Sequence, residues 1–339
     1  MAAYEAITEM DLVVACDMNR QRLDRCGYRF SIDRLYEEYE TMLSVERPDI
    51  VHIVTPPSVR AEPIELAAQY GVRGIIVEKP IALTPPQVQR IRACVERTGI
   101  KIAVNMQRRY FESCQRLHRI LRDGKIGKIT FVRCMTKGNI LSMGPHMVDL
   151  LLYFLNDSSP GEIWATAYGM NGYEYGHPAP ANMLTVFTFP DHVMAYCEDG
   201  DDAVGTAGET DFWQQLEINI WGTCGWAWWI QNRDWGCQVE GQSEPCVQVT
   251  RWRRDDPSGQ TQFTRAMASW LNDDRNIHLN CLANAVRGFD AIMGTFKSVL
   301  EHKRVKLPTE IPDDIAATVE RSLSWRQRDP VSKNRGAHA

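Results

Sequence analysis

Polar residues that can bind or ionise follow short apolar runs at four points in the first third of the chain. They are Asp17, Thr55, the pair Glu78 and Lys79, and Asn105. A carboxylate can bind a hydroxyl, and a lysine or an amide can bind a substrate oxygen. A single polar residue after a strand is explained by contact with water. Four such positions favour a cleft that binds a cofactor or a small substrate.

A second candidate group lies further along, where His146 and Asp149 are three residues apart in a segment with helical spacing. Residues three apart lie on the same face of a helix, and an imidazole exchanges protons near neutral pH. The spacing therefore places both side chains on one helix face, and a histidine that only packs near the domain junction is the alternative to a functional one.

Histidine and cysteine spacings predict no metal site. There is no HxxxH or HxH spacing, and the ten cysteines are scattered from Cys16 to Cys281 without a CxxC pair. A long chain with this pattern is expected to hold its cysteines as core thiols rather than as a disulfide framework. His177 lies in a loop bounded by glycine and proline, which makes it the remaining histidine most expected to reach a pocket. The other histidines outside the candidate pair are His52, His118, His192, His278, His302 and His338.

The elements that must position these residues alternate between strands and helices. Apolar runs predict strands, and polar, helix-compatible segments lie between them, one of which starts at Pro85 and Pro86. This alternation predicts right-handed βαβ crossovers and a doubly wound parallel sheet, with its ligand crevice at the carboxyl ends of the strands. The predicted strands are 11–16, 50–54, 74–77 and 101–105, and the helices between them include 19–26 and 63–70.

After about residue 125 the pattern changes to alternating, aromatic-rich strands separated by turns, which predicts an α+β domain with a large, mostly antiparallel sheet. One helix, 144–155, interrupts these strands, and a late helix lies near 277–301. We expect three parts: a dinucleotide-binding domain at 1–122, a substrate and oligomerisation domain at 123–325, and a polar tail at 326–339. The predicted strands are 129–135, 164–169, 183–189, 192–198 and 214–221.

Charge and hydropathy exclude several classes of protein. There are 38 Lys and Arg residues against 43 Asp and Glu residues, which gives a formal net charge of −5. No strongly basic segment is present, so a nucleic-acid partner is not expected. No apolar run reaches the roughly 18–20 residues needed to span a bilayer, and acids occupy the N-terminal segment, so we expect a cytoplasmic protein without a membrane partner.

Five short motifs, in this order along the chain, resemble the Gfo/Idh/MocA family, the relatives of glucose–fructose oxidoreductase and inositol dehydrogenase. The resemblance covers nearly the whole chain, from about residue 11 to Pro308. The motifs are Thr55-Pro56-Pro57, Glu78-Lys79-Pro80, Arg108-Arg109-Tyr110, Gly124 to Gly127, and Gly144 to Asp149.

The resemblance implies a Rossmann-like domain that binds NAD or NADP, followed by a domain that carries a sugar or cyclitol site and serves in oligomer contacts. It implies Lys79, His146 and Asp149 as catalytic residues. The implied cofactor-binding residues are Asp17, Thr55, Pro56, Glu78, Lys79 and Asn105, and the implied substrate-binding residues are Lys79, Arg109, Ser142 and His146.

Two features depart from the family pattern. A strand and a GxGxxG loop should precede Asp17 by roughly 20 residues, and only the segment from Met1 onwards is available. Three explanations of the absence of this strand remain open. They are a sequence that starts downstream of the true start site, a fragment, and a true variant that has lost dinucleotide binding. Without the glycine loop, Asp17 would only cap the helix before Arg20. In addition, Ser142 stands where many relatives have an aspartate four residues before the histidine, and serine cannot stabilise an imidazolium by charge.

These observations leave two hypotheses. The first is an NAD(P)-dependent oxidoreductase that acts on a secondary alcohol of a sugar, cyclitol or related polyol and forms a homodimer or homotetramer. The second is a non-redox relative (a lyase, epimerase or hydrolase) or a cofactor-free binding subunit. Asp17 favours NAD, while the nearby Arg20 and Arg22 oppose that preference. A tryptophan cluster fits either sheet packing and an interface or a platform for a sugar ring; its members are Trp221, Trp226, Trp228, Trp229 and Trp235.

Overall fold

The computed structural model describes Tyr4 and residues 6–172 and 178–326, so the predictions for His177 and for the tail after Arg326 lie outside the described residues. By its internal contacts the chain divides into two compact units. Unit 1 contains residues 1–116 and 251–289, and unit 2 contains residues 117–250 and 290–339. Residues 251–289, which the sequence analysis assigned to the second domain, therefore pack with the N-terminal residues.

Unit 1 alternates strands and helices, as the sequence predicts. The helix Trp252–Asn272 and the start of the helix Leu282–Glu301 come from the later part of the chain, and only the first residues of the helix Glu112–Arg122 belong to this unit. The elements are β1 Ala15–Cys16, α1 Arg20–Phe30, β2 Leu35–Tyr36, α2 Tyr39–Glu46, β3 Ile50–Ile53, α3 Ala61–Gln69, β4 Gly74–Val77, α4 Pro85–Thr98, β5 Lys101–Val104, α5 Glu112–Arg122, α7 Trp252–Asn272 and α8 Leu282–Glu301.

The parallel strands of unit 1 form two sheets rather than one. β1 pairs only with β2, and β4 lies between β3 and β5 with all three strands parallel. Among the described residues, no strand joins β1 to β3. The strand predicted over 11–16 is shortened to Ala15–Cys16 because its described partner β2 is only two residues long.

Local sequence explains where helix α4 begins and ends. The side chain of Thr84 accepts a hydrogen bond from the backbone amide of Gln87, the Gln87 side-chain oxygen accepts one from the Thr84 amide, and Pro85 occupies the first turn. Such a reciprocal cap satisfies amide groups that the first turn leaves free. At the other end Gly99 takes a φ of 71°, a left-handed conformation that glycine adopts without steric cost.

Helix α7 completes the core of unit 1. Its residues Phe263 and Met267 pack with Ile76 and Ala103 of β4 and β5, all buried. Gly259 allows the helix to approach Phe111 closely, since a Cβ added there would lie 2.5 Å from a ring carbon. The sequence analysis did not predict this helix, because polar residues and Pro257 dominate its first turns.

Unit 2 is built on a single large sheet, which confirms the predicted fold class. In the described part of the chain nine strands pair in the order β13-β12-β11-β10-β6-β9-β8-β7-β14, and every pair is antiparallel except β6 with β9. Its elements are β6 Ile129–Thr136, α6 Gly144–Phe154, β7 Glu162–Gly172, β8 Pro178–Thr188, β9 Met194–Gly200, β10 Leu216–Gly222, β11 Gly225–Ile230, β12 Asp234–Val239, β13 Cys246–Val249, β14 Val305–Lys306 and α9 Ile315–Arg326.

One face of this sheet is buried and the other is partly open. Helix α6, buried along its whole length, packs on β6, where Val132, Cys134 and Thr136 point inward and are at most 1% exposed. Side chains of alternate parity, such as Arg133 and Tyr196, lie on the opposite and more exposed face. No helix within the described ranges is both long and apolar enough to cross a membrane.

Candidate functional site

The carboxyl ends of β3, β4 and β5 bring together three of the predicted cofactor-binding residues. The Asn105 amide Nδ2 donates to Glu78 Oε1 at 2.7 Å. Thr55 Oγ1 and Asn105 Oδ1 are buried and have no hydrogen-bond partner among the described residues. Buried polar atoms without a partner are uncommon and are typical of sites that accept a ligand or an ordered water molecule.

Arg60, which the sequence analysis did not select, holds the ends of β3 and β4 together. Its guanidinium donates to the carbonyl of Thr55 at 2.9 Å and also to the carbonyls of Glu78 and Pro80. The side chain is only 3% exposed. Arg60 therefore fixes the backbone on both sides of Lys79. An arginine five residues after a strand end gives no signal of this role, because the three carbonyls meet only in the folded chain.

His52 lies beside this group. Its Nε2 is 4.0 Å from Glu78 Oε1, and its Nδ1 is 3.4 Å from the hydroxyl oxygen of Tyr4. Burial lowers the pKa of His52 to about 4 and raises the pKa of Tyr4 to about 12. Both side chains are therefore neutral near pH 7.

The carboxylate of Asp17 accepts hydrogen bonds from residues at the start of α1 but does not cap this helix. The carboxylate receives two bonds from the Arg22 guanidinium, both 2.8 Å, and one from the Asn19 amide at 2.8 Å. The hydrogen bonds from Arg22 lower the pKa of Asp17. Asn19 is the N-cap of α1, accepting from the Arg22 amide at 3.0 Å, so the interpretation of Asp17 as the cap is wrong. Asn19 is the N-cap because its side-chain oxygen reaches an amide of the first turn that has no partner within the helix.

Lys79 and Pro56 lie at the same edge of the three-stranded sheet. Lys79 follows β4 and is partly buried, and Pro56 precedes the short 3-10 helix Pro57–Val59 that follows β3. Their positions agree with a role at this edge, and their contact with a cofactor stays a prediction.

Arg109 does not face solvent, as a residue that binds substrate in an open cleft would. It is fully buried within unit 1, and its Nη1 donates to the Leu279 carbonyl at 3.3 Å. The neighbouring Tyr110 hydroxyl accepts from the Leu279 amide at 3.1 Å. These bonds join the segment after β5 to residues 278–280, and a substrate role for Arg109 stays a prediction.

In unit 2, a turn organised by Asn139 leads into α6. Asn139 Oδ1 accepts from the amides of Leu141 and Ser142 at 3.1 and 3.0 Å, and its backbone carbonyl accepts from the Ser142 hydroxyl at 3.2 Å. Gly138 allows the turn to close, because a Cβ there would lie 2.4 Å from Met143. Ser142 is thus held within the turn, and the sequence analysis missed the role of Asn139.

His146 and Asp149 lie in the first two turns of α6, as predicted. Both are buried, at 6% and 3% exposure, and Pro145 precedes His146 in the first turn. Their catalytic roles stay predictions.

A further buried carboxyl group, Asp199, lies on the face of the sheet that α6 covers. It is 1% exposed, neither of its oxygens has a hydrogen-bond partner in the described ranges, and burial raises its pKa well above the usual value. Its register partner on β6 is Thr136, whose hydroxyl is also buried and without a partner there. The sequence gives little signal of this pair. Side chains along β9 alternate between the two faces of the sheet, and only the register with β6 shows that Asp199 lies on the buried face.

The tryptophan cluster is divided between the two faces of the sheet, with Trp221, Trp226 and Trp228 on one face and Trp229 and Trp235 on the other. Trp228, Trp229 and Trp235 are at most 6% exposed, whereas Trp221 and Trp226 are each 37% exposed. The rings of Trp226 and Trp228 stack with their centroids 4.4 Å apart. Packing accounts for the buried members, and the choice between an interface and a sugar platform for the exposed members stays open.

Within the described ranges, no three His, Cys, Asp or Glu side chains come together in a group that could hold a metal ion. Five of the ten cysteines are buried, three are partly buried and two are exposed. The expectation of core thiols therefore holds for half of them, and Cys224 and Cys246 are clear exceptions.

Unit 1 has the architecture of a nucleotide-binding α/β protein: parallel strands alternate with helices, and polar side chains collect at the carboxyl edge. Residues 1–106 match the family model described as the oxidoreductase family with an NAD-binding Rossmann fold. The match confirms, over these residues, the resemblance to the Gfo/Idh/MocA oxidoreductase family.

Relatives in sequence and structure agree with this assignment. D-apiose dehydrogenase from Paraburkholderia graminis is 38% identical over 125 residues, covering 37% of this chain and 33% of that protein. The chain spans less than two thirds of the length of the curated relatives that it matches.

Two solved structures share the fold across nearly the whole chain. An oxidoreductase from Agrobacterium radiobacter, in complex with NAD+, L-tartaric acid and magnesium, has a TM-score of 0.78 at 16% identity and covers 94% of this chain and 95% of its own. A putative myo-inositol dehydrogenase from Sinorhizobium meliloti has a TM-score of 0.72 at 15% identity and covers 90% of this chain and 94% of its own.

Proposed function

We propose that the protein is an NAD(P)-dependent oxidoreductase that acts on a secondary alcohol of a sugar, cyclitol or related polyol. The observation that carries this proposal is the group Thr55, Glu78 and Asn105 at the ends of three consecutive parallel strands, with two buried polar atoms without a described partner. It lies in the segment that matches the model of an NAD-binding oxidoreductase family.

The residues at this edge fit the nicotinamide end of a dinucleotide. The free hydroxyl of Thr55 and the free amide oxygen of Asn105 suit a carboxamide and ribose hydroxyls, which both donate and accept hydrogen bonds. The pyrophosphate end has less support, since the sequence contains no GxGxxG turn to supply backbone amides. We therefore assign the nicotinamide end to Thr55, Glu78 and Asn105, with Pro56 shaping the same edge.

In the proposed reaction a bound nicotinamide supplies the hydride acceptor. Lys79 Nζ donates a hydrogen bond to the substrate oxygen and stabilises the charge that develops as the hydroxyl proton leaves. For unit 2 the resemblance supports a proton-transfer role for the imidazole of His146 and a supporting role for Asp149, one turn further along α6. Ser142 binds a substrate hydroxyl, and Arg109 acts on the substrate by fixing the segment after β5.

Two similar proteins, a D-apiose dehydrogenase and a putative myo-inositol dehydrogenase, support the proposed substrate class. We propose NAD as the cofactor, because the ribose-binding position is the carboxylate of Asp17, which repels a 2′-phosphate. Arg22 already neutralises part of that charge through two hydrogen bonds, so the preference should be modest.

One observation favours the alternative, a non-redox family member or a binding subunit. β1 and β3 belong to separate sheets, and no described residues form a glycine-rich turn between them. Among the described residues, no nest of backbone amides is available for a pyrophosphate, which agrees with this alternative.

A fluorescence titration with NADH and NADPH separates these alternatives. We expect the 339-residue chain to bind NADH in the micromolar range. Thr55→Val removes the free hydroxyl at nearly constant volume and should weaken binding roughly tenfold, the value of about one buried hydrogen bond.

Thr98→Val is the matched control, because the Thr98 hydroxyl donates to the Cys94 carbonyl within α4, away from the strand ends. It should leave NADH binding unchanged. If the well-folded protein binds neither dinucleotide, the oxidoreductase proposal is overturned and the non-redox alternative stands.

A further inference from the structure

Two cysteines face each other across the edge hairpin of the large sheet. Cys237 of β12 is the register partner of Cys246, the first residue of β13, in an antiparallel pair. Directly opposed residues in such a pair have Cα atoms about 4.5–5.5 Å apart and side chains on the same face. That separation lies within the range in which a disulfide forms without movement of the backbone.

The two thiols differ in their access to solvent. Cys246 is exposed, as are the other three residues of β13, while Cys237 is 8% exposed. Burial, together with the neighbouring Cys246 thiol, raises the pKa of Cys237. Cys246 is therefore the thiol that meets an oxidant in solution, and Cys237 is the protected partner behind it.

The other cysteines of this sheet do not offer the same arrangement. Cys224 is exposed, but its carbonyl accepts from the Glu240 amide at 2.8 Å, which places it three residues along β12 from Cys237, about 10 Å away. Cys134 and Cys197 are register partners on β6 and β9, and both are fully buried, so an oxidant cannot reach them.

We propose that Cys237 and Cys246 are a reversible oxidation site that forms an intramolecular disulfide when a hydroperoxide is present. The Cys246 thiolate attacks the peroxide, which gives a sulfenic acid and, after one proton is taken up, one water. The Cys237 thiol then loses its proton as its sulfur attacks the Cys246 sulfur, and a second water leaves. Two thiols and one hydrogen peroxide thus give one disulfide and two waters.

The disulfide would close the connection between the last two strands. The chain between the cysteines, 238–245, contains the turn that joins β12 to β13. β13 is the edge strand of the sheet and has β12 as its described neighbour. A disulfide at Cys246 would anchor the first residue of the edge strand to the sheet. Packing alone gives little anchoring, because all four residues of this strand are exposed.

Peptide mapping after treatment with hydrogen peroxide tests the proposal. Both cysteines lie in one tryptic peptide, 234–251, because no Lys or Arg stands between Arg233 and Arg251. After free thiols are alkylated, that peptide should be unalkylated and lighter by two hydrogens than its reduced form. Cleavage after Glu240, which lies between the two cysteines, should leave its two parts joined until dithiothreitol is added. We also expect the disulfide to form at least about tenfold faster in the folded protein than in urea, since the fold holds the thiols together.

The variants Cys246→Ser and Cys224→Ser complete the test. Cys246→Ser should abolish the light peptide, and Cys224→Ser, which removes the other exposed cysteine, should leave it in full yield. Alkylation of both Cys237 and Cys246 in the peroxide-treated wild type would overturn the proposal. A bond from either cysteine to Cys224 or to a second chain, or equal rates in folded and unfolded protein, would overturn it as well.

Discussion

At the scale of single residues, Arg60 shows how one buried side chain holds a site that it does not itself form. Its guanidinium binds the carbonyls of Thr55, Glu78 and Pro80, so its loss would leave three carbonyls without a donor. We expect Arg60→Met to lower the free energy of unfolding by about 2–4 kcal/mol, the usual cost of a broken buried hydrogen-bond network.

Urea denaturation followed by circular dichroism measures this loss. Arg92→Met is the control, since Arg92 is exposed on α4. It should change stability by less than about 0.5 kcal/mol. Equal effects of the two substitutions would contradict the role assigned to Arg60.

His278 makes stability depend on pH. Its Nε2 lies 3.0 Å from the Phe263 carbonyl and its Nδ1 accepts from the Asn280 amide at 3.0 Å, so the ring is neutral with its proton on Nε2. Burial lowers the pKa of His278 to about 4, from 6.5. The unfolded chain therefore binds the proton first, and stability is lost as the pH falls from about 6.5 to 4.

This difference in pKa corresponds to roughly 3 kcal/mol. We expect the difference in the free energy of unfolding between the wild type and His278→Gln to shrink by about this amount as the pH is lowered from 6.5 to 4. His302→Gln, at an exposed position, provides the baseline. A difference between wild type and His278→Gln that stays constant over this range would show that the proton does not bind at His278.

At the scale of elements, the close approach of α7 to Phe111 depends on a glycine. A Cβ at Gly259 would lie 2.5 and 2.7 Å from two carbons of the Phe111 ring. Glycine to alanine inside a helix normally stabilises by about 1 kcal/mol, but here the overlap should reverse the sign and cost about 1–3 kcal/mol.

Thermal unfolding of Gly259→Ala and of its neighbour Ser258→Ala measures the two effects side by side. Ser258 is exposed on the same helix, so alanine there should be neutral or slightly stabilising. A stabilised Gly259→Ala would mean that α7 and Phe111 are less tightly packed than the structure has them.

The same scale shows which parts of the fold the sequence could predict. Helix α4 was predictable because its cap at Thr84, its proline and its terminal Gly99 are local signals. Helix α7 was not, because its buried face becomes regular only after Gly259. The short length of β1 depends on β2, a partner outside its own segment.

The candidate site follows the same division. The sequence indicated Thr55, Glu78 and Asn105, because strand ends are visible in the apolar pattern. The sequence did not indicate Arg60, because the three carbonyls that it binds meet only in the folded chain. It did not indicate Asp199 either, because the register between β6 and β9 places this side chain inside. Neither arrangement is local in sequence.

At the scale of the whole molecule, the open face of the unit 2 sheet bears on assembly. The register places Met194, Phe131, Trp221 and Trp226 side by side across four neighbouring strands. Met194 is 46% exposed and each tryptophan 37%, so this row of large apolar side chains is partly open in a single chain. Exposed apolar rows of this kind mark interfaces, and we expect a homodimer or homotetramer.

Sedimentation velocity tests this expectation. Trp221→Glu places a charge in the middle of the row and should shift the protein towards monomer. Tyr28→Glu, at a 93% exposed position on α1 in unit 1, should leave the sedimentation coefficient unchanged. A wild-type protein that sediments as a monomer at micromolar concentration would contradict the assembly.

The division of the parallel strands into two sheets has a consequence for motion. The amides of Ala15 and Asp17 bond to the carbonyls of Arg34 and Tyr36, in a sheet that shares no strand with β3, β4 and β5. The small sheet consists of two strands of two residues each, whereas the Glu78 amide donates to the Ile53 carbonyl inside the larger, three-stranded sheet. Amide hydrogens at Ala15 and Asp17 should therefore exchange with deuterium through local opening, long before those of β4, which await unfolding of the whole unit.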